Sequence, residues 1–479
     1  MSKTDLICLI PLWILSSAAI LIFFSVSVRR NHKLIFLITV ISLIADFVWL
    51  VTYSALPKNK QTIEPLLVFD GFGIFNIGLI LLTTLIVAMM SYAYFEQREE
   101  RKEEYYILLI LASLGACIMV ISKHFVSLFL GLEVLSVSLY ALIAYLRTRH
   151  RSDEAGIKYL ILAAFSSAFL LFGMALVYAT TGSMEFSAIA DWLNENSNEM
   201  PLLMLAGFGL MIVGVGFKLG VVPFHMWTPD VYEGAPAPVT AFIATASKGG
   251  MVALLVRFFH TLNGYQYESL VWIFASVAIA SMFVGNFLAL RQNNVKRILA
   301  YSSIAHMGYL LVAFLAGGKL GVEAISFYLV AYFITSLGAF GILATLSDKE
   351  RDAEFLEDYR GLFWSRPITA SAFSAMLLSL AGIPLTAGFI GKFYLLAAGI
   401  QSQLWLLAFI LVINSVIGLY YYIKVIAVMF DKKQHVIASG RLNPLVYIMS
   451  SFTMAILTIL LIWIGVNPSA MMELIRGVL

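Results

Sequence analysis

Five basic residues, Lys218, Lys248, Arg257, Lys392 and Lys424, lie inside stretches otherwise apolar enough to cross a membrane. Charges at that depth are costly and mark function until shown otherwise. Arg257 and Lys424 fall near the ends of their stretches, where a long side chain snorkels to the headgroups. Lys218, Lys248 and Lys392 are too deep for that. One acid, Glu133 in SLFLGLEVLSVSLYAL, and one histidine, His306 in YSSIAHMGY, share the same surroundings. Together these are the side chains of proton transfer. Burial disfavours their charged forms and an opposite charge nearby restores them, while histidine titrates near neutral pH. A Glu133–Lys218 contact is therefore expected to work as a proton switch, the lysine releasing its proton when the pair separates. The alternative is a static pair that fixes helix packing. His306 is either a relay or a hydrogen-bonded packing residue beside Ser302, Ser303 and Tyr309. His225 is a candidate gate for proton uptake from the cytoplasm, Asp230 and Glu233 read as a wet rim, and Lys158 stands at borderline depth.

Other chemistries find no footing. Cys8 and Cys117 sit in separate apolar runs without metal-ligand spacing. There is no Walker loop, no CxxC cluster and no histidine pair placed for haem, and GVGFKLG has no strand before it, so it is not a dinucleotide fingerprint. No redox centre, nucleotide site or cofactor is expected on this chain; its energy comes from a partner or an ion gradient.

The elements that position these groups follow from composition. With 61% hydrophobic and 12% charged residues, against about half and about a quarter in soluble proteins, the chain is an all-α integral membrane protein. The net charge of +3 is spread over short turns and carries no nucleic-acid signal. A bilayer core of about 30 Å takes roughly 20 residues of helix. Segments of that kind are 4–28, 34–54, 70–94, 105–122, 126–146, 157–180, 201–222, 237–260, 268–290, 296–316, 320–346, 367–400, 404–429 and 443–466, fourteen in all. The first is longer than a signal-peptide core and lacks an A-x-A site, so it reads as a retained helix. Basic residues such as Arg29, Arg30, Arg98, Arg101, Arg147, Arg149, Lys296, Arg297, Lys349 and Arg351 gather in alternate loops. The opposite side holds Lys3, Lys58, Lys60, Lys123, Lys319 and Arg476. The positive-inside rule then puts both termini outside.

Two segments are broken. The seventh runs through Gly214, Gly216 and Gly220 into Pro223 and on as HMWTPDVYEG; the twelfth holds AGIPLTAGFIGK, with Gly382, Pro384, Gly388 and Gly391. Each proline is expected to free the carbonyl four residues earlier, Leu219 and Leu380. Discontinuous helices at matching places in two halves point to an ion site near the midplane. The breaks lie five spans apart, and an odd repeat unit must invert. Residues 105–264 and 265–435 are thus expected to be inverted five-helix units, with 1–104 a three-helix addition and 436–479 a terminal helix.

FKLGVVPFHMWTPDVYEGAPAPVTAFIATASK closely resembles the signature of the proton-translocating, antiporter-like membrane subunits of respiratory complex I. SLFLGLEVLS, YSSIAHMGYLL, SLAGIPLTAGFIGKFY and IGLYYY extend the resemblance over nearly the whole chain. It implies proton translocation across a bacterial inner membrane, driven by electron transfer from NADH to quinone elsewhere in the complex. It assigns translocation roles to Glu133, Lys158, Lys218, Lys248, His306 and Lys392. It also implies neighbours: the antiporter-like subunit M, small subunits such as K, and membrane lipid. A lysine at position 392, where subunit M has glutamate, argues against that sibling; a chain ending soon after its fourteenth span argues against subunit L. Two rival readings stand beside it. One is a subunit of a multisubunit sodium/proton antiporter, distinguished by its partners. The other is a structural scaffold whose charges only lock helices together.

Overall fold

The computed structural model describes residues 3–54, 61–96, 98, 101–147, 149–196, 201–432 and 444–479. Lys58 and Lys60, and the boundary expected between 435 and 436, lie outside the described residues. Each of the fourteen apolar segments is helical. We number them α1 (Ile10–Val28), α2 (His32–Ser54), α3 (Gly71–Glu96), α4 (Glu104–Val120), α5 (Phe125–Ile143), α6 (His150–Thr181), α7a (Leu202–Leu219) with α7b (Trp227–Gly234), α8 (Ala237–Thr261), α9 (Glu268–Leu290), α10 (Val295–Ala316), α11 (Gly318–Leu346), α12a (Pro367–Ala381) with α12b (Ala387–Gln401), α13 (Trp405–Met429) and α14 (Pro444–Val466). Prolines open helices rather than interrupt them at Pro238 and Pro367, where the missing N–H costs nothing. α8, α10 and α11 form the buried centre of the molecule, and α1, α2, α6 and α13 turn most of their apolar surface outward. Packing repeats between the two halves: α4 lies on α5 as α9 lies on α10, and α6 lies on α7a as α11 lies on α12a and α12b.

Three features were not foreseen. A two-stranded hairpin, Gln61–Ile63 with Leu67–Phe69, closes the loop between α2 and α3. α15 (Pro468–Val478) turns 89° from α14 and is tied to α11 by an Arg476–Glu323 ion pair at 2.9 Å. Inside α8, Ile243–Ser247 forms a π turn directly before Lys248.

Both breaks are confirmed, but glycines end the helices before the prolines are reached. Gly220 has φ +70° and Gly382 φ +86°. At each, the next N–H reaches back five residues, Val221 to Gly216 O and Ile383 to Leu378 O, both at 3.0 Å, which is a Schellman cap. Side chains add to these caps: Trp227 Nε1 donates to Phe217 O at 2.8 Å, beside the Gly220 N–H at 2.9 Å, and Lys392 Nζ donates to Ala381 O at 2.9 Å. At the second break Gly388 N donates to Ser379 Oγ at 3.0 Å, and a Cβ on Gly388 would come within 1.9 Å of Ser379 O. Gly388→Ala must push α12b off α12a. A loss of about 1–3 kcal/mol, the usual cost of overpacking, is expected as earlier thermal dissociation of the purified protein; an unchanged transition would mean that the halves separate freely.

Arg257 does not snorkel. Its guanidinium pairs with Asp70 at 2.6 and 2.8 Å and donates to Val120 O at 2.9 Å, which ties the end of α8 to the starts of α3 and of the loop after α4. Lys424 does reach its helix end, donating to Gln292 O at 3.1 Å and Asn293 Oδ1 at 2.9 Å in the loop between α9 and α10.

On the side expected to face the cytoplasm a second lock forms around Asp352, in the loop between α11 and α12a. Its carboxylate accepts from Lys296 Nζ at 2.9 Å, Arg149 Nη1 at 3.1 Å and Tyr94 OH at 2.7 Å, with Arg98 at 3.6 Å. Lys296 Nζ also donates to Glu233 O and Ala235 O, at 2.9 and 2.6 Å, satisfying the last carbonyls of α7b. Burial pushes the Asp352 carboxyl up, but the cations around it reverse this and hold it well below the usual carboxylate range.

Candidate functional site

The buried charges form a row across the middle of the molecule. Lys218 occupies the last turn of α7a because Gly220 stops the helix there. It is 3% exposed, and its Nζ donates to Ser136 Oγ on α5 at 3.1 Å and Tyr159 OH on α6 at 3.0 Å. Glu133 is half-buried and accepts from Ser167 Oγ at 2.6 Å. The expected Glu133–Lys218 ion pair is absent from the described contacts; the carboxylate acts on Lys218 through space only. On α5, Ser136 presents its hydroxyl to the lysine, while Glu133, one turn earlier, is bonded to Ser167 on α6 instead.

Lys248 follows the π turn of α8 and donates to Ser303 Oγ at 2.6 Å. Tyr232 OH lies 3.2 Å from the same oxygen, and the ammonium stands 5.7 Å from the Tyr232 ring centre. Ser302, the next residue back on α10, bonds Tyr422 OH. His306, one turn further along, meets Tyr422 OH through Nε2 at 3.2 Å and Tyr328 OH through Nδ1 at 2.6 Å. A phenol donates or accepts, so both imidazole tautomers are satisfied in place. That is what a relay requires, and a packing histidine with a fixed carbonyl partner lacks it. Lys248 and Lys392 both lie within Coulombic reach of the ring.

Lys392 closes the row. From α12b it folds back over Gly382 to Ala381 O and to Ser415 Oγ on α13, each at 2.9 Å, and stands 5.0 Å from the Tyr309 ring centre. Its ammonium thus sits at the C-terminal end of α12a, where the helix dipole favours a cation.

Two candidates stand apart from the row. Lys158 pairs with Glu154 at 2.7 Å and Asp230 at 2.9 Å and is 44% exposed. α6 begins at His150, seven residues before the expected start, and Lys158, two turns in, is held on the rim by these two acids. Asp230 and Glu233 complete that rim with Arg297 and Arg151. His225, in the turn between α7a and α7b, is buried and its Nδ1 has no protein partner.

Sequence reasoning missed the hydroxyls that receive the charges, Ser136, Tyr159, Tyr232, Tyr328, Ser415 and Tyr422. Their only signal was a hydroxyl in an apolar run, which ordinary packing also produces. It missed Asp46 as well, a fully buried acid of α2 whose carboxyl oxygens have no hydrogen-bond partner.

Residues 122–418 match the family model described as NADH:quinone oxidoreductase/Mrp antiporter, transmembrane. NADH-quinone oxidoreductase subunit N of Nitrosospira multiformis is 49% identical, the alignment covering 99% of this chain and 96% of that protein. Among solved structures, a chain of respiratory complex I from Thermus thermophilus is 30% identical with a TM-score of 0.82, covering 96% of this chain and 98% of its own. A chain of the Mrp complex from Dietzia sp. DQ12-45-1b is 20% identical with a TM-score of 0.85, covering 99% and 97%, and shows the shared fold alone.

Proposed function

Because this chain belongs to the NADH:quinone oxidoreductase/Mrp antiporter family of membrane subunits, we propose that its row of buried side chains is the path by which it moves protons. The chain is a multi-pass, proton-translocating membrane-arm subunit of a NADH-quinone oxidoreductase. Lys218, under the influence of Glu133, loads from the cytoplasm. Lys248 and His306 pass charge laterally through Ser303, Ser302 and Tyr422, and Lys392 releases outward. Lys158 feeds the path from the rim. Electrons travel elsewhere in the complex, and NADH and quinone bind to other subunits. The path is built of two inverted units, 105–264 and 265–435, behind a three-helix addition, 1–104, and before the terminal stretch 436–479. Both termini face the periplasm, and the neighbours are subunit M on one side and small subunits such as K on the other.

The observation that carries this reading is that three buried lysines and a histidine lie on one hydroxyl-lined row, each bonded to groups that accept its proton-bearing form. Fully buried cations without counter-ions contribute nothing to packing that an apolar residue would not supply better, which weighs against a scaffold. The test is to capture the tagged chain from its native membrane under mild detergent. An assembly that oxidises NADH with quinone is expected. Recovery in an assembly without that activity, but with sodium/proton exchange after reconstitution, would move the chain to the antiporter branch of the family.

A further inference from the structure

At the first break two polar groups face the position that a side chain on Gly220 would take. A Cβ on Gly220 would lie 2.6 Å from Thr228 Oγ1 and 3.3 Å from Lys248 Nζ, so hydroxyl and ammonium are no farther apart than the sum of these two distances, 5.9 Å. They do not bond each other. Lys248 spends one hydrogen bond, on Ser303, of the three its ammonium can donate. Thr228 is fully buried, and its hydroxyl has no protein partner, a situation that costs about 1–3 kcal/mol unless something fills it. The Trp227 ring lies 3.6 Å from the same Cβ position. A water at ordinary bonding distance from two groups joins them across at most about 6 Å.

We infer that Thr228 is a positioning residue that holds a water against Lys248 over Gly220, and that this bridge carries protons between the broken helix and α8. The inference rests on the proton-path reading above. In the bridge the ammonium donates to the water oxygen and the water donates to Thr228 Oγ1; no covalent bond changes beyond proton exchange.

Three variants, read on complex that stays intact on native gels, test this: Thr228→Val, which keeps shape and removes the hydroxyl; Thr228→Ser, which restores it; and Lys248→Met. Protons moved per NADH oxidised are measured in sealed vesicles, in H2O and D2O. Thr228→Val is expected to lower the ratio about fivefold, the worth of one lost hydrogen bond, and to change the isotope effect, while Thr228→Ser recovers most of it. Native pumping by Thr228→Val, or equal loss in Thr228→Ser, overturns the bridge while a defective Lys248→Met leaves the path standing. Native pumping by Lys248→Met overturns the path itself. Should Thr228→Val fail to assemble, a map of the native complex sharp enough to show waters decides: density bonded to both Thr228 Oγ1 and Lys248 Nζ is expected, and a gap without it refutes the bridge.

Discussion

Lys218→Met is expected to lower proton pumping by at least about tenfold in a complex that still assembles, the equivalent of about 1.4 kcal/mol or more on the transfer step. Methionine matches the lysine stem in length and flexibility, so α7a can keep its last turn and Schellman cap. Ser136 and Tyr159 lose a donor, but both hydroxyls can turn to each other or to water. Lys218→Arg separates charge from chemistry. Arginine keeps the cation but does not give up its proton in proteins, so this variant is expected to pump as poorly as Lys218→Met. The measurement is fluorescence quenching by vesicles energised with NADH, normalised to NADH consumed. Normal pumping by either variant would return Lys218 to the role of a packing charge.

The second large effect is on stability. Asp352→Asn leaves Lys296, Arg149 and Arg98 buried or half-buried around a neutral group, and breaking a buried ionic cluster from one side costs about 3–5 kcal/mol. Loss of the assembled subunit, or a strongly lowered dissociation temperature, is expected. The pH dependence has a definite sign. A carboxyl held below its unfolded value contributes stability fully present above that value, near pH 4, and loses it only as pH falls through the lower folded value. The gap between native and variant should therefore stay flat from pH 5 to pH 8. A gap that closes within that window would mean that Asp352 is not held as an anion by these cations.

Much of the row was legible because a charge in an apolar run is a linear feature. Glu133, Lys218, Lys248, His306 and Lys392 announce themselves without any knowledge of distance, and so do Gly220–Pro223 and Gly382–Pro384. What stayed hidden depends on helices far apart in the chain. Arg257 looked free to snorkel because Asp70, its partner, stands 187 residues away. The Glu133–Lys218 contact was an expectation that sequence alone could not test, because the hydroxyls of Ser136, Tyr159 and Ser167 that take their places are silent in sequence. Lys158 stood at borderline depth because Asp230, which holds it at the rim, lies 72 residues further along the chain. The phenols of Tyr159, Tyr328 and Tyr422 are indistinguishable from packing aromatics until their oxygens are seen.

The π turn at Ile243–Ser247 gives Lys248 a property no other residue of the row has. A π turn is one residue more than an α-helix needs there, and each residue of an α-helix accounts for about 100° of rotation. If the surplus residue slides past Lys248 along α8, the ammonium swings by about that angle although neither end of the helix moves. The direction in which Lys248 points, here at Ser303, is thus fixed by where along α8 that surplus residue lies.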